Sequence, residues 1–228
     1  MLTSKMWAAR GKRRAAKLGL DPDRLPPGQS PTQKWPVLSL GATPHVPLDQ
    51  WSFSVHGEVD APFALRWDEL LALEQTRLVR DIHCVTRWSR FDVPWEGVRV
   101  RDLLERARVR EGATHALVHA FGGYTTNLPL DDLLREDVLI AHQADGAPLE
   151  PDHGGPARLL VPHLYLWKSA KWVRAIEVLA GDRAGFWERN GYHHRGDPWA
   201  EERLGPGVDP ADVREVRRAA RAGDGGPA

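Results

Sequence analysis

Asp81-Ile82-His83-Cys84-Val85-Thr86-Arg87-Trp88-Ser89 contains the only cysteine of a 228-residue chain. One thiol cannot close an internal disulfide, build a multi-cysteine zinc site or hold an iron–sulfur cluster by itself. It is either a small buried hydrophobe or a sulfur placed for chemistry. Leu78, Val79 and Ile82 lead up to it, as in a buried strand. Thr86, Arg87, Ser89 and Arg90 follow directly. The abrupt change reads as a strand ending at the floor of a polar pocket, with the Cys84 sulfur at its lip.

Composition narrows what surrounds that strand. Lys and Arg number 31, and so do Asp and Glu. With no net charge, no global field draws the chain to nucleic acid or to an anionic membrane, so any anion selectivity must be local. No apolar run approaches membrane-spanning length. Ten Trp stand against five Phe and three Tyr. Each Trp buries a large area and wants a partner for its N–H. Ten of them suggest a well-packed core and the wall of a large planar ligand site. The 21 Gly and 18 Pro imply many turns and argue against an all-helical fold. Lys12-Arg13-Arg14 suggests a twin-arginine export signal, but the ten residues that follow carry no hydrophobic core and no small-residue cleavage site. The expectation is a basic amphipathic arm and a cytoplasmic protein.

Residues 1–45 read as a basic, then Pro-rich arm that wraps the surface as irregular chain. Residues 46–204 form one domain, and residues 205–228 a flexible Gly-, Arg- and Ala-rich tail, disordered over 223–228. Residues 51–59 alternate apolar and polar side chains, the signature of a half-buried strand. Further strands are expected over 78–83, 116–121, 138–143, 156–161 and 172–180. Short helices are expected over 67–73, at the end of 98–107 with Leu103, Leu104 and Ala107 inward, and over 130–134. Short strands interspersed with short helices, without a regular alternation, argue an α+β fold with mixed sheets.

Three further segments carry potential chemistry. Gly122-Gly123-Tyr124-Thr125-Thr126-Asn127 is either a plain hairpin turn or a loop whose backbone approaches a ligand closely. His153-Gly154-Gly155-Pro156-Ala157-Arg158 is a turn feeding a strand. It presents either backbone N–H groups and an Arg clamp to a phosphate, or merely a surface arginine. Trp167-Lys168-Ser169-Ala170-Lys171-Trp172 sets small residues and two lysines between tryptophans, where a solvated lysine pair is unusual. No HExxH or paired-histidine spacing supports a zinc hydrolase. His83 cannot serve as base to Cys84, because neighbours on a strand face opposite sides.

Taken in order, these strings resemble the molybdenum-cofactor domain of the sulfite oxidase family. The likeness extends to its small bacterial members, related to the periplasmic methionine-sulfoxide reductase catalytic subunit. The resemblance rests on residues 83–89, Trp95-Glu96-Gly97-Val98, residues 123–130, residues 153–162 and residues 165–172. Phe186-Trp187-Glu188 and residues 191–199 extend it. It implies a sulfite-oxidase-type α+β domain in which Cys84 ligates molybdenum beside the dithiolene of a pyranopterin, the other sulfurs belonging to the cofactor. It also implies that Arg158 and Ser169-Ala170-Lys171 hold the pterin and its phosphate. His83, Thr125 and His153 would join them as cofactor contacts. Tyr124 and Arg87 would lie at the catalytic face, with Lys34 and Trp35 capping the cofactor. The implied activity is oxygen-atom transfer on a small sulfur-containing or related substrate. Electrons would pass through a separate carrier protein or membrane carrier. Sulfite itself would need a cationic pocket, for which Arg80, Arg87 and Arg90 are candidates. A cysteine-nucleophile enzyme or a non-catalytic binding module on the same scaffold are the alternatives.

Overall fold

The computed structural model describes residues 4–39 and 41–222. The chain opens with α1 (Ser4–Lys17), a 3-10 turn (Pro22–Arg24) and β1 (Ser30–Pro31). It continues through β2 (Ser52–Gly57), β3 (Phe63–Arg66), α2 (Trp67–Leu71), β4 (Thr76–Cys84), β5 (Trp88–Arg99) and α3 (Val100–Ala107). Then come β6 (His115–Ala120), β7 (Thr125–Pro129), α4 (Leu130–Leu133), β8 (Leu139–Ala144) and β9 (Ala147–Pro148). A 3-10 turn (Pro151–His153), β10 (Arg158–Leu160), β11 (Val173–Leu179), α5 (Phe186–Arg189) and α6 (Pro210–Ala222) complete it.

Two mixed sheets carry the fold, as the α+β reading expects. One runs β1-β5-β8-β10, with β4 along β5 and β9 on β8. The other runs β3-β2-β11-β6-β7. Parallel pairs join β1 to β5 and β2 to β11, and the other pairings are antiparallel. The alternation in β2 works as read: Phe53 and Val55 are fully buried, while Ser52, Ser54 and His56 point outward. In α3, Val100, Leu103, Leu104 and Ala107 form the inward stripe at helical spacing.

β4 and β5 form the hairpin that matters most. Cys84, the last residue of β4, pairs with Trp88, the first of β5. Three residues close the turn, and Arg87 takes the left-handed conformation (φ 75°) that such a turn needs at its end. The Arg87 amide donates to the Cys84 carbonyl at 3.0 Å. The strand does end at the cysteine.

Both termini differ from expectation. Residues 4–17 form a helix rather than irregular chain. Their Ala, Lys and Arg content favours helix. Small Gly11 and Ala15 also let the helix pack closely, and both are buried. The expected tail holds α6, with Pro210 at its start and Asp212 in the first turn, both favourable there. Val213 anchors it in the apolar cluster around Cys84, Tyr165, Trp167 and Tyr192. Residues 223–228 lie outside the described residues. Among the described residues, no helix is long and apolar enough to cross a membrane.

Candidate cofactor cavity

The β4–β5 hairpin, the start of β10 and the loop between β10 and β11 meet at one cavity of about 1000 Å³, its mouth included. Cys84 lies in its wall at 7 % exposure, with Sγ 3.1 Å from Thr86 Oγ1. The Gln29 side-chain amide donates to the Cys84 carbonyl at 3.0 Å and fixes the end of β4 from behind.

A cationic end faces the same space. Arg158, the first residue of β10, is 2 % exposed yet lines the cavity. Its guanidinium donates to the carbonyls of His153 and Ser169, both at 2.8 Å. Lys171 Nζ donates to Ser39 Oγ (2.8 Å) and to the Asp152 carbonyl (2.5 Å). Neither cation forms an ion pair with a carboxylate among the described residues. Burial pushes the Arg158 pKa down to about 10. Burial, reinforced by Arg158, pushes Lys171 down to about 7. Two buried cations facing one cavity are costly unless an anion completes them.

The backbone adds to this cradle. The Ser169 hydroxyl accepts from the Val161 amide at 2.9 Å, leaving its own proton to give. No acceptor among the described residues meets the amides of Ala170 and Lys171. Gly154 (φ 105°) makes the close approach possible: a Cβ there would lie 3.0 Å from Lys171 Cα. Buried cations and open amides together fit a phosphate-bearing ligand, and a thiol in the same wall fits a soft metal. The residues present therefore fit a pterin-phosphate cofactor carrying molybdenum.

The remaining wall is aromatic. Tyr124 donates its hydroxyl to the Trp167 carbonyl at 2.6 Å. Burial, then Glu188, holds its pKa well above the ordinary phenol value, so it is a neutral donor. Trp187 and Tyr192 pack at 4.8 Å between ring centroids, and Tyr192 meets Trp167 edge-on at 5.0 Å. Among the described residues, no histidine and no carboxylate lines the cavity.

Of the residues expected in the site, the structure brings Cys84, Tyr124, Arg158, Ser169, Ala170 and Lys171 to one cavity, with Trp35 from the arm. Four others do not line it, and Lys34 does not either. His83 alternates to the opposite face of β4 and lines a second cleft, its Nδ1 2.8 Å from Ser89 Oγ. Burial pushes its pKa down to about 4, so the ring is neutral. Arg87 is turned by its left-handed backbone toward the Gly28 carbonyl (3.5 Å). Thr125 starts β7, paired with His119, because the Gly122–Gly123 turn is the hairpin turn. His153 packs on Trp35 at 4.2 Å and reaches Arg158 only through its carbonyl. Arg80 and Arg90 are held by Asp137 and Asp145 and line no part of this wall. Ser39 and Gln29 also belong to the site, although their polarity alone gives no sign of it in the sequence; Trp187 and Tyr192 gain a role only through the fold.

A family model for the oxidoreductase molybdopterin binding domain matches residues 40–187. "Uncharacterized oxidoreductase YuiH" of Bacillus subtilis is 49 % identical over 182 residues, 79 % of this chain and 92 % of that protein. The protein-methionine-sulfoxide reductase catalytic subunit MsrP of Xanthomonas campestris is 29 % identical over 148 residues. That match covers 58 % of this chain and 46 % of that one. An NADH nitrate reductase of Volvox carteri is 28 % identical over 66 % of this chain but only 21 % of its own length. The chain thus spans nearly all of the first relative and a minor part of the other two. The sulfane dehydrogenase SoxCD from Paracoccus pantotrophus shares the fold, with a TM-score of 0.58 and 20 % identity over 65 % of this chain and 42 % of that one. A cavity with the donors a molybdenum cofactor needs and a family match over more than half of the sequence agree: the chain belongs to the oxidoreductase molybdopterin-binding domain family, among the sulfite-oxidase-like enzymes.

Proposed function

We propose that this oxidoreductase transfers an oxygen atom to or from a small, uncharged, sulfur-containing substrate, with the Cys84 thiolate as the protein ligand of molybdenum. The observation that carries this reading is one cavity wall that holds a thiol together with Arg158 and Lys171, with no carboxylate among its described lining residues. The molybdenum cofactor, when bound, supplies a two-electron metal centre able to give or accept an oxygen atom.

The chain's own residues bind and orient. Arg158, Lys171, the Ser169 hydroxyl and the amides of Ala170 and Lys171 clamp the anionic end, and Trp35 walls it beside Arg158. Gln29 and the β4–β5 turn fix the backbone of Cys84. Val85, Thr86, Tyr124, Trp167, Trp187 and Tyr192 exclude water around the sulfur. Among the described residues, only the two cations assigned to the cofactor carry positive charge on the wall, so an oxyanion such as sulfite would meet no further cation there. An uncharged sulfoxide or thioether suits the aromatic wall. A cysteine-nucleophile reading finds less support, because among the described residues no histidine or carboxylate lines the cavity to activate the thiol.

Metal and pterin analysis of Cys84→Ala and Cys84→Ser tests the assignment. The expected result is loss of molybdenum from both variants with the fold retained. Unchanged molybdenum and turnover in Cys84→Ala would remove the thiolate from the site.

A further inference from the structure

α1 holds the most one-sided charge in the chain. Its 14 residues carry six Lys and Arg and no Asp or Glu, although the whole sequence balances 31 of each. Arg10, Lys12, Arg13, Arg14 and Lys17 are exposed. The small face of the helix is already occupied. A Cβ on buried Gly11 would lie 2.1 Å from the Gln29 carbonyl, so the helix is pressed onto the segment before β1. An apolar face packed in this way is not available to enter a lipid surface.

A second cleft adjoins this helix. Lys12 pairs with Asp23 at 2.8 Å, and neighbouring Arg24 lines that cleft with Arg80, Asp81, His83, Asp137 and Trp199, its arginines matched by Asp81, Asp92 and Asp137. Trp199 is 49 % exposed, and its ring meets His83 edge-on at 6.5 Å between centroids. His83 is bonded through one peptide to Cys84, yet faces this cleft rather than the cavity. Gln29, beneath α1, donates to the Cys84 carbonyl. Two short routes therefore join this face to the backbone of Cys84 without crossing the cavity.

We propose that α1 and the Arg24–Trp199 cleft dock a small acidic electron-carrier protein; the inference rests on the redox function proposed above. An exposed Trp beside two ion-paired arginines has the composition of an interface anchor, while the unpaired positive charge that steers lies on α1. A one-signed helix on an otherwise neutral protein steers an acidic partner to it. Each crossing moves one electron, matched by a one-electron change in the carrier, so two crossings balance one two-electron turnover.

The test uses purified, cofactor-loaded protein, with a flavodoxin as acidic carrier and a cytochrome c as basic carrier. Vesicles of phosphatidylcholine with phosphatidylglycerol serve as the anionic membrane. The variants are Arg10→Glu/Arg13→Glu/Arg14→Glu/Lys17→Glu, all on exposed helical positions, and Trp199→Ala. Flavodoxin binding should weaken by about tenfold or more on going from low to physiological salt, and similarly in the charge-reversed protein. Trp199→Ala should weaken it further, cytochrome c should not bind, and turnover with a small uncharged quinone should stay equal in all variants. Equal flavodoxin binding by wild-type and charge-reversed protein overturns the proposal. So does vesicle binding that is lost on reversal while flavodoxin never binds. Absent quinone turnover in the wild type would contradict the redox function instead, and the salt-dependent titration would still decide the docking face.

Discussion

Lys168 and Lys171 stand three residues apart in one loop and live in opposite electrostatic worlds. Lys168 is fully buried and donates to Glu188 Oε1 at 2.6 Å and to both the carbonyl and the side-chain oxygen of Asn127 at 2.8 Å. Glu188 also accepts from the Trp167 indole at 2.9 Å. That charge is matched inside the protein, and it braces the aromatic wall. Lys171 bonds a hydroxyl and a carbonyl and pairs directly with no carboxylate among the described residues; burial and Arg158 disfavour its charge, against a weaker attraction by Asp152 and Cys84. The first lysine is part of the structure; the second waits for an anion. A sequence motif names both, and only the location of the counter-charge separates them.

The largest effect should come from breaking the matched pair. Lys168→Met leaves Glu188 buried without its cation and should cost about 3–5 kcal/mol in denaturant unfolding. Lys168→Met/Glu188→Leu should recover most of that loss. Lys171→Met should show the reverse pattern. It removes an uncompensated buried cation, so stability of the cofactor-free protein should hold or rise, while pterin retention falls by about tenfold or more. Equal destabilisation by the two lysine changes would erase the distinction.

A pH titration sharpens it. The Lys171 pKa falls to about 7 in the folded protein, below its ordinary value of 10.5, because of burial and Arg158. Between those values the unfolded chain holds more protons, so this lysine makes stability rise with pH. Below about pH 7 the penalty is fully present, and above about 10.5 it is gone. The difference in thermal stability between wild type and Lys171→Met, both cofactor-free, should therefore shrink as pH climbs from 7 toward 10. A smaller effect concerns inorganic phosphate. It should raise the melting temperature of cofactor-free wild type at pH 6.5 by about 2–4 °C, as a stabilisation near 1 kcal/mol would. It should do so less at pH 9, and not at all in Arg158→Met/Lys171→Met. The smallest change expected is for Trp187→Ala, which opens the wall beside the sulfur. It should raise KM for an aryl sulfoxide while leaving metal content intact.

Much of this site was legible because its residue types are conspicuous. A lone cysteine ending an apolar run marked the strand end, and Gly-rich turns beside Arg158 and Lys171 marked the anion cradle. Side-chain direction was less legible. His83 lies next to the thiol in sequence and behind it in space, by the alternation of a strand. That same alternation was used to reject it as a base, and it applied equally to its assignment as a cofactor contact. Arg87 and His153 depended on a left-handed turn residue and on packing against Trp35, neither of which has a local signature. The strand Trp88–Arg99 was hidden because Pro94 and Gly97 interrupt its pattern. Gly97 is there because a Cβ would lie 2.3 Å from the Ile140 carbonyl, a constraint set by the neighbouring strand. The Lys168–Glu188 pair spans 20 residues, and in α1 the run of basic charge masks the helix propensity of its Ala, Lys and Arg content.

The central claim is that one cavity holds a molybdenum cofactor between the thiol of Cys84 and the paired cations Arg158 and Lys171. Its most direct test is the molybdenum and pterin content of protein purified from a host able to make the cofactor. The account predicts about one of each per chain in the wild type, no molybdenum in Cys84→Ala, and loss of pterin in Arg158→Met/Lys171→Met. Wild-type protein without metal or pterin, or a double variant that keeps its pterin in full, would contradict it.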